Sequence, residues 1–262
     1  MDRRRILGLS AGLATLPWFR PAAAADLELL EAGTLSAATE GTFPPYSIRL
    51  PNGELDGLEM RTLAEIARRL GLAYRPVVIK WESLLVGLLA DQDDMSGNAM
   101  GITAERQQQV TFCDAWVESG ARLVVAQDSP IRSYDDVRGR TIGVLVASTF
   151  VPLVDRLGGV VKTYKADPDA LTDLVNGNVD SVVTDSVAGA YAVKTAGLPV
   201  RMLDGFIDSY QLGWAVKQGK PNLVRAINGA LGEMVKDGSF AAIAADLIGI
   251  DPTPKEPIRS QL

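Results

Sequence analysis

Histidine is absent from this chain of 262 residues, cysteine occurs once, and aromatic residues make up only 6% of the total. Without histidine, the chain cannot build a histidine-dependent catalytic triad, an imidazole general base or the usual zinc site. The single cysteine, Cys113, cannot close an intramolecular disulfide and lies too far along the chain for a lipid anchor at an N-terminal cleavage point. We expect neither a metal nor a cofactor.

Residues 1–25 differ from the rest of the chain in composition. Three arginines precede a short apolar run over residues 6–19, and a cluster of alanines then fits an A-x-A cleavage site. The apolar run is interrupted by Pro17 and is too short to span a bilayer. These features predict an export signal cleaved near residue 25, and its DRRRIL segment resembles a twin-arginine signal. We therefore expect a freely soluble periplasmic protein.

Removal of that signal leaves 22 basic and 31 acidic residues, a net charge of −9. An excess of negative charge repels phosphate backbones and anionic lipid headgroups, so nucleic acid and membrane surfaces are not expected partners. The chain is 47% hydrophobic and 22% charged, which is typical of a soluble globular protein. Its length allows two compact domains.

The first half of the chain alternates between strand and helix patterns. Residues 34–39 predict a strand, and the turn that follows over residues 40–46 cannot continue it because of Pro44 and Pro45. Apolar residues at helical spacing predict an amphipathic helix over residues 57–70, and a second helix is predicted over residues 83–90 after an extended RPVVI. This alternation predicts a parallel sheet with crossover helices.

The segment MSGNAM, residues 95–100, is predicted as the next strand although Gly97 and Asn98 are poor strand formers. A glycine within a strand often marks the close approach of backbone or ligand. A weak or bent edge strand is the simpler alternative. The sequence does not separate the two.

A second α/β pattern starts at Arg122. It includes an N-cap predicted at Asp167, a strand ending at Thr184, a returning strand LGWAVK and two closing helices. Two successive units predict two lobes, the first from residues 33–118 with 216–262 and the second from residues 122–212. Ligands of such folds lie between the lobes, beyond the carboxyl ends of the strands.

Polar and aromatic residues collect at these predicted strand ends. Together they would receive a small zwitterion, because Arg106 offers a planar fork of donors to a carboxylate and acidic groups complement an amine. The alternative for Arg106 is a solvated charge paired with Glu105. The residues at the strand ends are Glu40, Phe43, Trp81, Gly101 to Arg106, Ala147 to Thr149 and Thr184 to Ser186.

Five segments carry a family resemblance: TEGTFPPYS, LEMRTLAEIARRLG, GITAERQQQVTFCD, VASTF and NGNVDSVVTDSVAGAYAV. In order and spacing, they resemble the amino-acid-binding group, family 3, of the bacterial extracytoplasmic solute-binding proteins. These proteins are the receptors of ABC importers. The resemblance covers residues 35–248. It implies an α/β type II periplasmic-binding fold whose two lobes are joined by a two-strand hinge, and a monomer whose partners are a small ligand and the importer's membrane subunits.

The resemblance also implies roles for single residues. Arg106 matches the arginine that binds the ligand's α-carboxylate, and Asp185 matches the aspartate that receives its α-amino group. Phe43 and Trp81 match aromatic residues of the side-chain slot. Glu40 matches a position that often contacts the distal end of the ligand.

Ser148 and Thr149 match residues that complete the carboxylate site. Two neighbouring positions depart from the family, since Gly101 replaces a serine or threonine and Ala147 replaces a common glycine. Gly101 keeps its amide but widens the slot, so an opine or a betaine-like solute is an alternative to an ordinary amino acid. Structural roles also remain open, because Asp185 and the two hydroxyl residues could be helix caps and Trp81 could fill core.

An enzyme is the alternative from another class, because cyclohexadienyl dehydratases resemble the same family. We expect their catalytic glutamate just after Thr184 and Asp185, where this chain has Ser186 and Val187. A sensory module is not expected. The prediction is a receptor that binds a small zwitterionic amino acid or derivative for an ABC importer, and not an enzyme.

Overall fold

The computed structural model describes residues 27–262, so the predicted export signal over residues 1–25 lies outside the described part. Within that part, no helix is both long and apolar enough to span a membrane. In chain order the strands are β1 (Thr34–Thr39), β2 (Thr42–Phe43), β3 (Ser47–Arg49), β4 (Leu55–Asp56), β5 (Ala73–Val78), β6 (Met95–Ser96), β7 (Met100–Gly101), β8 (Val110–Phe112), β9 (Val117–Ala126), β10 (Thr141–Leu145), β11 (Val160–Tyr164), β12 (Ser181–Asp185), β13 (Val200–Met202), β14 (Asp208–Gly213) and β15 (Ala215–Lys217).

Helices separate most of these strands, as the apolar spacing predicts. The α-helices are α1 (Leu58–Arg69), α2 (Leu84–Leu89), α3 (Ala104–Gln107), α4 (Val151–Arg156), α5 (Asp167–Val175), α6 (Ser186–Lys194), α7 (Pro221–Asp237) and α8 (Ser239–Ile248), with 3-10 turns at Trp81–Ser83 and Tyr134–Val137. The helix α1 buries its apolar stripe, including Leu58, Leu63 and Ile66, against the first sheet.

The strands form two large sheets, and each sheet carries one half of the molecule. The first lobe is built on a five-stranded sheet with the order β5-β1-β6-β15-β8. The second lobe is built on strands β9 to β14 of a seven-stranded sheet with the order β11-β10-β12-β9-β14-β7, in which β13 pairs with β9 and the first-lobe strand β7 pairs with β14. Parallel pairs of β1 with β5 and β6, and of β10 with β11 and β12, confirm the predicted crossover topology.

Two antiparallel strands join the lobes. The chain passes from the first sheet to the second between β8 and β9, and it returns between β14 and β15. Near these passages β9 and β14 pair, with Val117 opposite Leu212 and Ala121 opposite Asp208. The residue boundaries of the two lobes, 33–118 with 216–262 and 122–212, stay a prediction.

The segment predicted as one strand over residues 95–100 is instead two short strands in different sheets. Within it, β6 lies inside the first sheet between β1 and β15, whereas β7 pairs with β14. A Cβ atom added at Gly97 would lie 2.7 Å from the Cβ of Ala37, so no larger residue fits there. Close backbone approach, and not a weak edge, therefore explains this glycine.

Two further predictions of local structure are wrong. The segment LGWAVK does not form one strand, because it breaks at Trp214 where the chain changes sheets. Asp167 is the first residue of α5 and not its N-cap, which is Ala166. In both cases tertiary packing determines the local conformation, since the indole of Trp214 and the carboxyl group of Asp167 are both buried.

The lobes also touch on either side of the crossing strands. Leu145 of the second lobe belongs to the same buried apolar cluster as Trp81 and Met100 of the first lobe. Val187 and Ala188, in the first turn of α6, pack into the first lobe's apolar cluster. These contacts enclose a space between the lobes.

Candidate ligand-binding cleft

A cavity lies between the two lobes, where loops follow the ends of the strands. All eight residues singled out in the sequence line it: Glu40, Phe43, Trp81, Gly101, Arg106, Ser148, Thr149 and Asp185. Five other residues of the wall carry no signal in the sequence that marks them as part of a site: Ala99, Leu145, Phe150, Tyr210 and Leu212. The structure thus brings the predicted residues together, while their roles in binding stay a prediction.

Arg106 lies in the short helix α3 that follows β7. Thr103 caps this helix, and its Oγ1 accepts a hydrogen bond of 3.2 Å from the backbone N–H of Arg106. The guanidinium donates through Nη1 to the carbonyl oxygen of Gly101 at 2.9 Å, and its Cζ lies 5.6 Å from the centre of the Trp81 ring. Cation and ring attract each other at such a distance.

Most N–H donors of the Arg106 guanidinium have no acceptor in the described part of the protein. No ion pair within residues 27–262 includes it, and Glu105, the neighbour considered from the sequence, does not pair with it. Burial lowers the pKa of Arg106, but arginine remains a cation at neutral pH. A half-buried cation without a counter-ion is well suited to an incoming carboxylate.

Glu40 follows β1 and supplies an acid to the cavity. Its side chain is 6% exposed. Asn98 donates through Nδ2 to Oε1 at 3.3 Å, and Thr42 donates through Oγ1 to Oε2 at 3.4 Å. Burial raises the pKa of Glu40 from 4.5 to about 7 despite these hydrogen bonds, and the nearby Asp167 raises it further. No lysine or arginine of the described part forms an ion pair with Glu40.

Asp185 ends β12 and is the N-cap of α6. Its Oδ1 accepts hydrogen bonds from the backbone N–H groups of Val187 at 2.9 Å and Ala188 at 3.3 Å, and from the hydroxyl of Tyr46 at 3.0 Å. A carboxylate has about four lone-pair positions. The capping role considered from the sequence is therefore present, together with a position on the cavity wall.

Two more hydroxyl groups donate to the same carboxylate from the crossing strands. Ser119 of β9 and Tyr210 of β14 reach Oδ2 of Asp185 at 2.6 and 2.7 Å. All five donors belong to the protein. A ligand ammonium group can therefore donate a full hydrogen bond to Asp185 only if it shares the carboxylate with one of these donors or replaces it. Its charge acts on a ligand in either case.

The loop after β10 brings Ser148 and Thr149 of the second lobe opposite Gly101 of the first. The hydroxyl of Ser148 donates to the carbonyl oxygen of Leu145 at 2.7 Å, which fixes the turn. Ala147 has a φ of 56°, a left-handed conformation that favours glycine. A Cβ atom at Gly101 would lie 3.7 Å from Nη1 of Arg106 and 3.8 Å from Oγ1 of Thr149, which are ordinary contact distances.

Aromatic rings form the apolar part of the wall. Phe43 stacks on Tyr46 with ring centres 5.1 Å apart, and Phe150 lies 6.0 Å from Tyr210. Trp81 both packs in a buried cluster and lines the cavity, so the two roles considered for it coexist. One guanidinium, two carboxyl groups and several aromatic rings therefore surround this cavity, a combination that suits a small polar molecule.

The chain thus has two α/β lobes with a cleft between them. Its relatives belong to a class of proteins with the same arrangement. The family model of the bacterial extracellular solute-binding proteins, family 3, matches residues 35–249. The chain belongs to this family, which confirms the resemblance described above.

One relative matches almost from end to end. The chain is 29% identical over 261 residues to the L-cystine-binding protein TcyJ of Escherichia coli (strain K12), with 97% of this chain and 98% of that protein covered. The L-cystine-binding protein TcyA of Bacillus subtilis (strain 168) and the histidine-binding periplasmic protein of Escherichia coli (strain K12) are likewise named as binding proteins, so the prediction that this chain is not an enzyme is confirmed.

Solved structures show the same architecture. An ancestral arginine-binding protein bound to glutamine has a TM-score of 0.77 at 33% identity, with 84% of this chain and 99% of that chain covered. The ancestral amino acid-binding protein AncCDT-1, a precursor of cyclohexadienyl dehydratase, has a TM-score of 0.78 at 26% identity, with 82% and 96% covered. The predicted type II periplasmic-binding fold is confirmed.

Proposed function

We propose that this protein binds a small zwitterionic amino acid or amino-acid derivative in the cleft between its lobes and delivers it in the periplasm to an ABC importer. The observation that carries the proposal is the guanidinium of Arg106, which lies in the cavity wall without a counter-ion. An α-carboxylate would supply that counter-ion. The relatives support the transport role, because the substrate binding protein of an amino acid ABC transporter shares the fold at 25% identity.

The two lobes contribute unlike groups to the proposed site. Arg106 and the aromatic slot of Phe43 and Trp81 belong to the first lobe, whereas Thr149 and Asp185 belong to the second. A ligand that contacts both lobes stabilises their closed arrangement, because those contacts are incomplete when the lobes are apart. We therefore propose that Arg106 receives the carboxylate with Ser148 and Thr149, and that Asp185 attracts the amino group.

The number of contacts is sufficient for useful affinity. Hydrogen bonds to charged groups contribute about 1.5–3 kcal/mol each. Micromolar binding needs about 8 kcal/mol. Two charged anchors and an aromatic slot supply a free energy of that order.

Glu40 bears on the ligand's chemical class. It is a buried acid without a basic partner in the described part, so a cationic or hydrogen-bond-donating group at the distal end of the ligand would lower the cost of its ionisation. L-cystine, arginine and glutamine, named for the matched proteins, each carry nitrogen donors away from the first α-carbon. An opine or a betaine-like solute is the alternative, and a betaine would lack such donors.

A ligand screen with an arginine variant tests the proposal. Thermal unfolding is followed with L-cystine, L-arginine, L-glutamine, an opine and glycine betaine, since a ligand at a hundred times its dissociation constant stabilises a protein by about 2.7 kcal/mol. Arg106→Ala should abolish the shift and leave the melting temperature of the protein without ligand nearly unchanged. Arg156→Ala, which removes an exposed arginine on the second lobe, is the matched control and should keep the shift. Retained affinity with a large loss of stability in Arg106→Ala would show that Arg106 is structural.

A further inference from the structure

We infer that Tyr46 is a positioning residue for ligand binding, because its hydroxyl reaches across from the first lobe to the carboxylate of Asp185 and holds the lobes together. Oη of Tyr46 lies 3.0 Å from Oδ1 of Asp185. Both side chains are at most 1% exposed. The part of this inference that concerns ligand release rests on the proposed function, whereas the part that concerns lobe arrangement does not.

The donor belongs firmly to the first lobe. The backbone carbonyls of Pro45 and Tyr46 accept hydrogen bonds of 2.8 and 3.0 Å from the first N–H groups of α1. The ring of Tyr46 stacks on Phe43 and meets the edge of Trp116 at 6.1 Å. These contacts fix the ring independently of its hydroxyl, so the hydroxyl moves with the first lobe as a rigid body.

The acceptor belongs firmly to the second lobe. Asp185 is the last residue of β12, and two backbone N–H groups of α6 hold its side chain as an N-cap. We therefore expect rotation of one lobe against the other to lengthen the bond from Tyr46, since each end is held by its own lobe. The hydrogen bonds from Ser119 and Tyr210 differ, because those residues lie on the strands that cross between the lobes.

The donor of this bond lies away from the surface that a ligand would cover. Asp185 lines the cavity, but Tyr46 does not. Burial and the neighbouring carboxylate both raise the pKa of Tyr46 well above its ordinary value, so the phenol remains a donor at every pH near neutrality. A ligand can then occupy the cavity while the hydroxyl stays on Asp185. The bond stabilises closed lobes with and without a ligand.

Three variants that each remove one tyrosine hydroxyl group separate this role from a general loss of stability. Tyr46→Phe removes the crossing bond and keeps the ring. Tyr210→Phe removes a donor from the same carboxylate without removing a direct bond between lobes. Tyr134→Phe is the matched control, because the hydroxyl of Tyr134 donates at 2.9 Å to the carbonyl of Gly205 within the second lobe.

The first measurement is small-angle X-ray scattering of each protein after removal of bound amino acids by unfolding, dialysis and refolding. Tyr46→Phe should have a larger radius of gyration than the wild type, Tyr210→Phe a smaller increase, and Tyr134→Phe none. An unchanged radius for Tyr46→Phe overturns the inference. Equal increases for Tyr46→Phe and Tyr210→Phe also overturn it, because the cause would then be the altered carboxylate and not the crossing bond.

The second measurement is the dissociation rate of L-cystine and L-arginine, followed by stopped-flow fluorescence. A hydrogen bond to a charged group is worth roughly ten- to a hundredfold in an equilibrium constant. Release from Tyr46→Phe should therefore be at least about tenfold faster than from the wild type and from Tyr134→Phe. An unchanged release rate contradicts the inference. If neither amino acid binds the wild type, the proposed function fails for these ligands, and the scattering comparison still decides the role of Tyr46.

Discussion

The change Glu40→Gln tests whether burial in the cavity wall raises the pKa of this acid. Burial raises the pKa of Glu40 from 4.5 to about 7, so the folded protein holds this proton more tightly than the unfolded chain does. The contribution of the protonated Glu40 to the free energy of unfolding is therefore complete below pH 4.5 and is lost as the pH rises through 7. A difference of about 2.5 units corresponds to roughly 3 kcal/mol at high pH.

Glutamine imitates the protonated acid, because it is neutral, of the same shape and still able to accept from Asn98. At pH 4 the variant should match the wild type in its free energy of unfolding. At pH 8.5 the variant without ligand should be more stable by up to about 3 kcal/mol, because the wild type then carries an ionised carboxylate that is poorly hydrated.

Urea denaturation between pH 4 and pH 9 measures this difference, and m-values show whether the transition stays two-state. The change Glu256→Gln is the control, since Glu256 is exposed and its carboxylate remains in water after folding. A Glu40→Gln variant that is less stable than the wild type at pH 8.5, or whose gain does not vary with pH, would refute the assignment of a burial penalty to Glu40.

Two positions in the proposed carboxylate site give further predictions. Gly101→Ser should increase affinity for the amino acid found in the screen by about two- to tenfold, because a serine Cβ fits beside Arg106 and Thr149 and its hydroxyl adds a donor; isothermal titration calorimetry measures this, and weaker binding would mean that the ligand needs the space. Ala147→Gly should raise the free energy of unfolding by up to about 1 kcal/mol, because glycine relieves the left-handed conformation at φ 56°; a loss of stability in guanidinium denaturation would contradict the strain at this residue.

Local sequence patterns predict the alternation of strands and helices well, because apolar spacing is a property of neighbouring residues. They predict the site less completely. Arg106 and Thr149 follow strand ends directly, so the fold rule that ligands bind there identifies them. Tyr210 and Ser119 lie within crossing strands instead, and only the pairing of β9 with β14 brings them to Asp185.

Packing between distant segments explains the other differences. Glu59 appears in the sequence as an ordinary polar position of an amphipathic helix, yet it is fully buried and accepts a hydrogen bond of 2.8 Å from the indole of Trp214. Asn98, a poor strand former, is buried because its side chain binds the backbone and carboxylate of Glu40. Such partners are far apart along the chain, so no local pattern reveals them.

The order of strands in the first lobe has a consequence for how the protein is made. β15 lies between β6 and β8, although it follows them by about a hundred residues. A ribosome that adds roughly 5–20 residues per second needs on the order of ten seconds to cover that interval. During this time the facing edges of β6 and β8 lack their partner, and open strand edges favour aggregation. The sheet of the first lobe therefore stays incomplete until residues 215–217 have been added.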